Sequence, residues 1–297
     1  MKDFVLYCKS YRRDVLRAAR LAESIRKHNI ANLSFYISCP LSDLTLFKDT
    51  IGSRGVTFLT DEEIIAANAS IDLKAFNALP GGISQQIVKS EFWRLGICEN
   101  YLCLDSDSYF IRNFDQSDFL TATGSPYTVM NESLELRTFG AVNRHTKIAR
   151  NIDTDCKAIM EIFGRVGRHY DFGPLPVVWS RRVWSDMAEK FLEPKGMSFL
   201  DAMALFPSEM RWYGEALLKF RSIELWPVET LFRCYHYEQQ YIASKRSGET
   251  DEALSQVYLG VCVQSNWDKA FDYGHMKKGA LSKFVRSIKR RIFRRLV

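Results

Sequence analysis

Two carboxylates stand two positions apart near the middle of the chain, directly after an apolar run. Residues 101–104 carry no charged side chain, and Asp105 and Asp107 follow them with one serine in between. Side chains two positions apart share one face of an extended chain, so both carboxylates can approach the same ion. Mg²⁺ and Mn²⁺ take carboxylate oxygens and often share their remaining positions with substrate phosphates. The spacing therefore predicts a divalent-cation site, while a plainer alternative, two acids that end a strand in a turn, stays open.

The elements that precede these acids determine where the acids would lie. Three strands and three helices are predicted before them, with strands at 4–8, 33–39 and 56–59 and helices at 15–25, 42–50 and 61–67. The apolar run at 101–104 is typical of a strand buried on both faces. This alternating order predicts an α/β fold with a doubly wound, mostly parallel sheet. Because such sheets bind ligands beyond the carboxyl ends of their strands, the acids would stand at the ligand edge.

A helix predicted at 85–97 leads directly into the strand that carries the acids. Ser84 would cap it, and a turn-rich loop is predicted before it at 70–82. Lys89 and Trp93 fall on one face of this helix, because they are four positions apart. The arrangement predicts that Lys89 approaches a diphosphate bound at the acids. The alternative for Lys89 is an ordinary solvated side chain.

The second half of the chain predicts a less regular series of elements. Strands are predicted at 127–130, near Phe139 and at 177–179, 231–237 and 257–263, and helices at 152–163 and from Arg181 onward. A turn-rich loop at 167–176 contains His169 and Asp171, and loops of this kind often carry functional residues. Loop packing is the alternative role for both side chains.

Two further side chains are candidates for chemistry. Glu209 follows the predicted cap Ser208 in the first turn of a helix, where a fixed carboxylate is well placed as a general base. Its alternative role is to complement the helix dipole. His236 lies in an aromatic extended run and is a candidate third ligand for a metal held by Asp105 and Asp107. A hydrogen-bonded core histidine is the alternative there.

The end of the chain differs in charge from the rest. Of a formal net charge of +6, residues 277–297 contribute nine Lys and Arg and no acid, which leaves −3 for the remainder. This distribution removes the main support for nucleic-acid binding by the body of the protein. Apolar residues from Leu281 to Leu296 recur at helical spacing, and the other faces are nearly all basic. The pattern predicts an amphipathic helix on an anionic membrane surface, with a partner-docking helix or an RNA-binding tail as alternatives.

Composition favours one globular domain with appendages. The 297 residues are 46% hydrophobic and 26% charged, and they contain no long Pro/Gly/Ser-rich linker. We expect a single domain over 1–276, followed by the basic tail at 277–297. The seven cysteines form no Cys-x-x-Cys motif, which favours reduced, buried thiols in a cytoplasmic protein. No signal-peptide pattern and no apolar run of membrane-spanning length is present.

Taken together, the sequence resembles GT-A glycosyltransferases, and most closely the bacterial enzymes that build surface polysaccharide or lipopolysaccharide core. Three stretches carry the resemblance: residues 4–10, residues 85–89, and Tyr-Leu-Cys-Leu-Asp-Ser-Asp-Ser-Tyr-Phe at 101–110. The resemblance covers about the first 120 residues well, and it implies a catalytic domain over 1–276 with a nucleotide-binding half at about 1–120 and an acceptor half at about 121–276. It implies a GT-A-like fold, with a Rossmann-type, mostly parallel central sheet flanked by helices.

The resemblance also implies an activity. Such a protein would move a sugar from a nucleotide sugar, with a UDP-sugar favoured, to a glycan or glycolipid acceptor in bacterial cell-envelope polysaccharide synthesis. Mn²⁺ or Mg²⁺ would bridge the Asp-x-Asp carboxylates and the diphosphate, with Asp105 facing the nucleotide sugar and Asp107 ligating the ion. His236 would match a late metal-ligand histidine of some GT-A enzymes.

Donor-binding residues follow from the same resemblance. Lys9, Ser10 and Tyr11 at the end of the first strand would meet the base and ribose. Gln85 and Lys89 belong to the second matching stretch and would also bind the donor. The enzyme would be cytoplasmic and peripheral on the inner face of the cytoplasmic membrane, bound there through residues 279–297, with no nucleic-acid partner.

The stereochemistry leaves alternatives open. An inverting enzyme needs a base for the acceptor hydroxyl, and Glu209 is the first candidate and Asp171 the second. A retaining glycosyltransferase of the same fold would not need that base. A metal-dependent phosphohydrolase could use the same aspartates, and a non-catalytic, membrane-bound scaffold with a degenerate site is a further alternative.

Overall fold

The computed structural model describes residues 1–274, so the predicted basic tail at 277–297 lies outside the described residues. Within this range the chain forms an α/β fold. The strands are β1 (Lys2–Lys9), β2 (Phe35–Cys39), β3 (Thr57–Thr60), β4 (Cys98–Asp105), β5 (Ser108–Phe110), β6 (Tyr127–Val129), β7 (Val177–Ser180), β8 (Trp226–Val228), β9 (Phe232–Tyr235) and β10 (Gly260–Val263). The helices are α1 (Val15–His28), α2 (Leu44–Ile51), α3 (Asp61–Ala66), α4 (Leu73–Asn77), α5 (Gly81–Glu91), α6 (Leu134–Val142), α7 (Lys147–Phe163), α8 (Arg181–Met187), α9 (Phe199–Leu205), α10 (Glu209–Phe220), α11 (Glu238–Arg246) and α12 (Asp251–Leu254).

A five-stranded sheet forms the centre of the fold, in the order β3-β2-β1-β4-β7. The first four strands are mutually parallel, and β7 joins the edge of β4 in the antiparallel direction. The prediction of a mostly parallel central sheet flanked by helices is thus confirmed. Two smaller sheets accompany it, one of β5, β10 and β9 and one of β6 and β8.

The apolar run in β4 is buried on both faces, as predicted. Tyr101 and Cys103 belong to a core cluster shared with α5, α8 and α10, whereas Leu102 and Leu104 belong to a second cluster shared with α1 and α2. All four side chains are fully buried. Because alternate residues of a strand face opposite sides, helices on both faces of the sheet explain the unbroken apolar run.

The predicted loop at 70–82 is partly wrong. The side chain of Asp72 accepts a hydrogen bond from the backbone N–H of Lys74 at 2.8 Å and caps the short helix α4. Helix α5 begins at Gly81 after the cap residue Pro80, not at Gln85, and its α-helical part ends at Glu91. A Pro-Gly-Gly sequence resembles a turn. Proline is nevertheless tolerated beside a helix start, because the first backbone N–H groups of a helix have no intrahelical acceptor and the N–H that proline lacks is not needed there.

The strand predicted near Phe139 is also wrong, because this segment is helix α6. Leu136 and Phe139 are three positions apart on one face of α6 and pack against Ile148, Ile152 and Cys156 of α7. In so short a segment, contact with a neighbouring helix decides the conformation more than local propensity does. Asp61 is the first residue of α3, and Thr60 rather than Asp61 is its cap.

Within residues 1–274, no helix is both long and apolar enough to cross a membrane. All seven cysteines are buried and unpaired, as their isolated positions in the sequence predicted.

Candidate functional site

The carboxyl edge of the central sheet gathers charged residues from several elements. Lys9 ends β1 and is the register partner of Asp105, which ends β4. Asp61 follows β3 directly at the same edge. Two helices add charges from the side, because α5 carries Lys89 and α10 begins with Glu209. The parallel strand order thus places the predicted acids at the ligand edge of the sheet.

Lys89 joins the strand acid to the helix acid. Its Nζ lies 2.7 Å from Oδ1 of Asp105 and 3.3 Å from Oε1 of Glu209. The side chain of Lys89 is only 3% exposed, so the alternative of a solvated lysine is wrong. Burial acts to lower the pKa of Lys89, but the charges of Asp105 and Glu209 outweigh it and raise that pKa well above its ordinary value. The ammonium therefore stays charged and links two carboxylates that are far apart in sequence.

Glu209 is fixed by contacts from α5 as well as by its place in α10. Its backbone N–H donates to Oε1 of Gln86 at 3.3 Å, and its side chain is 6% exposed. Ser208 occupies the cap position, as predicted, but its side chain makes no capping hydrogen bond. A buried carboxylate bound to a lysine does more than complement the helix dipole, because the ion pair determines where it points.

Asp107 sits in the tight turn between β4 and β5. Its Oδ2 accepts the backbone N–H of Ser265 at 2.9 Å, and its Oδ1 accepts the thiol of Cys262 at 3.3 Å. Both donors are neutral groups from the last strand and the segment that follows it. Burial, reinforced by the charge of Asp105, raises the pKa of Asp107 to about 7. The side chain is held in place, but its negative charge is poorly compensated.

The two aspartates are therefore neighbours with different partners. Asp105 remains 38% exposed at the edge, with one oxygen held by Lys89, whereas Asp107 is 8% exposed. Within residues 1–274, no cluster of three or more His, Cys, Asp or Glu side chains is arranged to hold a metal ion. A cation at this edge would thus have two carboxylates for ligands and would take phosphate or water oxygens for the rest, a habit of Mg²⁺ and Mn²⁺.

His236 is connected to Asp107 through two thiols. Its ring hydrogen-bonds the thiol of Cys234, and Cys234 on β9 is the register partner of Cys262 on β10. The hydrogen bond between Cys234 and Cys262 outweighs burial and lowers the pKa of Cys234 to about 6. Burial acts to lower the pKa of His236, and the neighbouring Cys234 raises it overall. Whether His236 is a metal ligand stays a prediction, because its recorded side-chain partner is a thiol.

The predicted base-and-ribose residues lie at the end of β1. The Nζ of Lys9 pairs with Oδ2 of Asp61 at 2.8 Å, and both side chains are buried. Within residues 1–274, Ser10 Oγ and Asp61 Oδ1 are buried without a hydrogen-bond partner. Tyr11 is 43% exposed beside them, and Gln85 is half-buried. The sequence did not suggest Asp61 as a candidate site residue, although its position directly after a predicted strand could have indicated it.

Asp171 lies apart from this edge, in the wall of a cavity of about 730 Å³ that His236 also lines. Its Oδ2 accepts the hydroxyl of Ser133 at 2.8 Å and lies 3.6 Å from Nη2 of Arg211. Met210 and Gln264 line the same cavity, and each is the chain neighbour of a residue in the acid site, Glu209 or Ser265. The cavity therefore adjoins the acid site.

Two other polar residues have structural roles. Nδ1 of His169 lies 3.0 Å from Oδ1 of Asp153 on α7, a contact that leaves loop packing as the simplest role of this histidine. Glu215 receives two hydrogen bonds from Arg165, at 2.6 and 2.7 Å, and fixes the loop after α7 to α10. Neither of these pairs lies at the sheet edge.

Comparison with known proteins identifies a family for this chain. The sequence model of a family of unknown function, DUF6492, matches residues 4–212, well over half of the chain. The matched range contains Lys89, both aspartates and Glu209, and it ends before His236. No curated protein matches the chain.

Proposed function

The protein belongs to DUF6492, a family of unknown function, and we propose that it is a metal-dependent glycosyltransferase with a GT-A-like fold. It would move a sugar from a nucleotide sugar, with a UDP-sugar favoured, to a glycan or glycolipid acceptor. The observation that carries the proposal is the Asp105–Asp107 pair at the carboxyl edge of a mostly parallel sheet. That edge is where open α/β sheets bind nucleotides.

The residues at this edge fit a divalent cation. The carboxylate of Asp107 is held by two neutral donors, the backbone N–H of Ser265 and the thiol of Cys262, and its pKa is raised to about 7. A cation beside Asp107 and the exposed oxygen of Asp105 would relieve the repulsion between the two carboxylates. Mn²⁺ or Mg²⁺, when bound, supplies electrostatic stabilisation for the charge that develops on the leaving diphosphate. His236 stays a candidate third ligand in this proposal.

We place the base for the acceptor hydroxyl at Asp171 rather than at Glu209. Asp171 faces the cavity beside the acid site, whereas Glu209 is bound to Lys89 and is buried. In an inverting transfer the acceptor oxygen forms the new bond to the anomeric carbon as the bond to the diphosphate breaks. The hydroxyl proton then passes to the Asp171 carboxylate. Glu209 acts as a positioning residue, because it holds Lys89 on Asp105.

The end of β1 supports a donor site at the same edge. Among residues 1–274, Ser10 Oγ and Asp61 Oδ1 are buried polar atoms without hydrogen-bond partners, and such atoms are costly unless a ligand or water satisfies them. Lys9, Ser10 and Tyr11 with Asp61 would meet the nucleoside, and Gln85 stands on the neighbouring helix α5. Lys89 would act on the diphosphate through Asp105, because the lysine itself is buried.

The proposed setting is bacterial cell-envelope polysaccharide synthesis at the inner face of the cytoplasmic membrane. Its support is the basic amphipathic pattern at 279–297, with nine Lys and Arg after residue 276.

The test is metal-dependent turnover of a donor. The full-length protein is incubated with Mn²⁺ and a panel of UDP-, GDP- and CMP-sugars, and release of the nucleoside diphosphate or monophosphate is measured. We expect slow hydrolysis of one donor that requires the metal and falls at least about 100-fold in Asp107→Asn. Asp49→Asn is the control, because Asp49 is an exposed aspartate on α2 and should behave as wild type.

Other results would argue against the transferase. Turnover of generic phosphate esters with no preference for a sugar nucleotide would favour the phosphohydrolase. Donor turnover that survives Asp107→Asn would remove the central role given to the aspartate pair. Absence of both donor turnover and Mn²⁺ binding would favour a non-catalytic scaffold.

A further inference from the structure

The cavity beside the acid site has the size and position of a second substrate site. Its volume of about 730 Å³ lies within the range of about 300–1,000 Å³ typical of small-molecule sites. It opens between residues 130–136, which include the start of α6, the loop at 170–174 and the start of α10, with β9 and residues 257–258 opposite. Liquid water occupies about 30 Å³ per molecule, so the cavity corresponds to roughly two dozen water molecules. A sugar ring displaces only a fraction of that number, so the cavity has room for more than one ring.

Several polar groups in the wall have no hydrogen-bond partner among the described residues. Within residues 1–274, the carboxylate of Glu229 and the hydroxyls of Thr230 and Tyr258 make no recorded hydrogen bond, and Nε of Arg211 is buried without one. The guanidinium of Arg211 also hydrogen-bonds the side chain of Cys156, and its contacts with carboxylates are long, 3.4 Å to Asp155 and 3.6 Å to Asp171. Donors and acceptors are therefore both available, which suits a ligand with many hydroxyl groups.

The wall also offers apolar surface at several points. Tyr170 and Tyr258 line the cavity, and Met130 and Met210 add flexible apolar side chains. Tyrosine provides a flat apolar face together with a polar tip. A sugar ring has the matching character, with C–H groups on its faces and hydroxyls around its rim.

Charge argues against an anionic ligand. Four acids line the cavity, Glu132, Glu135, Asp171 and Glu229, against one arginine and one histidine. Glu132 and Glu135 are paired with Arg168 and Arg233, neither of which lines the cavity. Asp171 has only a long contact with Arg211, and Glu229 has no cationic partner within residues 1–274. A phosphate or carboxylate entering here would meet uncompensated negative charge.

We propose that this cavity binds the uncharged end of an oligosaccharide acceptor and rejects acidic glycans and lipid phosphates. The inference rests on the proposed function, because it assigns the acceptor of the same reaction. Glu229, Thr230 and Tyr258 hydrogen-bond the hydroxyls of the acceptor, the tyrosine rings contact its C–H faces, and Asp171 faces the hydroxyl that reacts. Glu229 is the side chain that repels acidic glycans.

Binding without a donor tests this assignment. The full-length protein is screened against an array of neutral oligosaccharides and oligosaccharides that contain uronic or sialic acid, and hits are confirmed by saturation-transfer NMR. We expect binding by neutral members only. Tyr258→Ala should weaken that binding at least about tenfold, since a buried aromatic contact and a hydrogen bond are both lost. Tyr273→Ala removes an exposed tyrosine outside the cavity and should leave binding unchanged.

A charge reversal at Glu229 gives a second test that does not depend on whether the Tyr258→Ala variant folds. Glu229 is exposed, so Glu229→Lys should fold normally. It should raise binding of acidic oligosaccharides at least several-fold relative to neutral ones. Preference of the wild-type protein for acidic glycans, absence of any neutral binder, or equal responses of Tyr258→Ala and Tyr273→Ala would overturn the assignment.

The outcome separates this inference from the proposed function. Metal-dependent donor hydrolysis without neutral-glycan binding refutes the acceptor assignment alone. Neutral-glycan binding without donor hydrolysis keeps a glycan site and refutes the transferase.

Discussion

Replacing Asp107 by asparagine removes a poorly compensated buried charge while keeping the shape of the side chain. In the wild-type protein the carboxylate accepts from the backbone N–H of Ser265 and from the thiol of Cys262. The amide oxygen of asparagine can replace the acceptor toward Ser265. Because burial and Asp105 raise the pKa of Asp107 to about 7, the neutral asparagine should fit the folded protein without metal better than the ionised aspartate does.

The sign and size of the effect follow from that pKa. A carboxyl group whose pKa is higher in the folded state binds its proton more tightly there, so stability falls as pH rises from about 4 to about 7. A difference of about three pH units, at about 1.4 kcal/mol each, sets an upper limit of about 4 kcal/mol. Water penetration and side-chain relaxation reduce such penalties, so we expect about 2–4 kcal/mol above pH 7. Below pH 4 the two proteins should be equally stable.

The measurement is urea and thermal unfolding of both proteins from pH 4 to pH 8 in the presence of a chelator. For a chain of this size, the expected difference corresponds to a melting temperature about 4–8 °C higher for Asp107→Asn at pH 8. Added Mn²⁺ should narrow this difference and, at one thousand times its dissociation constant, reverse it, since a ligand then stabilises the wild-type fold by about 4.1 kcal/mol. That stabilisation should weaken below pH 7, where the ion competes with a proton.

Asp49→Asn is the control for loss of a carboxylate in general. Because Asp49 is exposed, the stability of this variant should follow the wild-type curve at every pH. A stability difference between Asp107→Asn and wild type that does not change with pH would refute the reasoning. It would mean that the aspartate is well solvated or well paired in the folded protein. Equal stabilisation of both proteins by Mn²⁺ would separately remove Asp107 from the metal site.

Three further results are expected. Lys89→Met should lower the free energy of unfolding by about 3–5 kcal/mol, because it leaves the buried Glu209 uncompensated, and Lys89→Met with Glu209→Gln should recover part of that loss in chemical denaturation; full additivity of the two changes would contradict the ion pair. In transfer assays at saturating acceptor, Asp171→Asn should lower kcat at least about 100-fold with little change in KM, whereas Glu209→Gln, as a change in a positioning residue, should be rescued partly by higher Mn²⁺; the reverse ranking would return the base to Glu209. Deletion of 279–297 should abolish co-sedimentation with anionic liposomes but not with neutral ones, and undiminished binding by the shortened chain would refute the membrane anchor.

Local sequence patterns were sufficient for the sheet and for the position of the aspartates. Runs of apolar residues separated by helices predict the strands at the start of the chain and the burial of β4 on both faces. The same pattern places Asp105 and Asp107 at the end of β4. These patterns report which faces of an element are covered, and that property is written in a few neighbouring residues. Gly164 and Ser180 likewise end α7 and begin α8 as their residue types predict.

The partners of those aspartates were beyond the reach of local patterns. Lys89 and Glu209 are 120 positions apart, and Asp107 and Cys262 are 155 apart. No periodicity or motif brings such residues together, since their meeting depends on how distant helices and strands pack. The strand predicted near Phe139 was wrong for the same reason, because the helical form of this segment is stabilised by contact with α7.

The contacts of the Lys89 ammonium with Asp105 and Glu209 limit where this chain can be truncated or joined to a relative. The ammonium holds one acid from β4 and one from the start of α10, so a fragment that stops between them would keep a desolvated cation without its second counter-charge. Chimeras between relatives should therefore exchange α5 and α10 together. The family match ends at residue 212, three positions past Glu209, and a truncation at that boundary would retain both ends of the linkage.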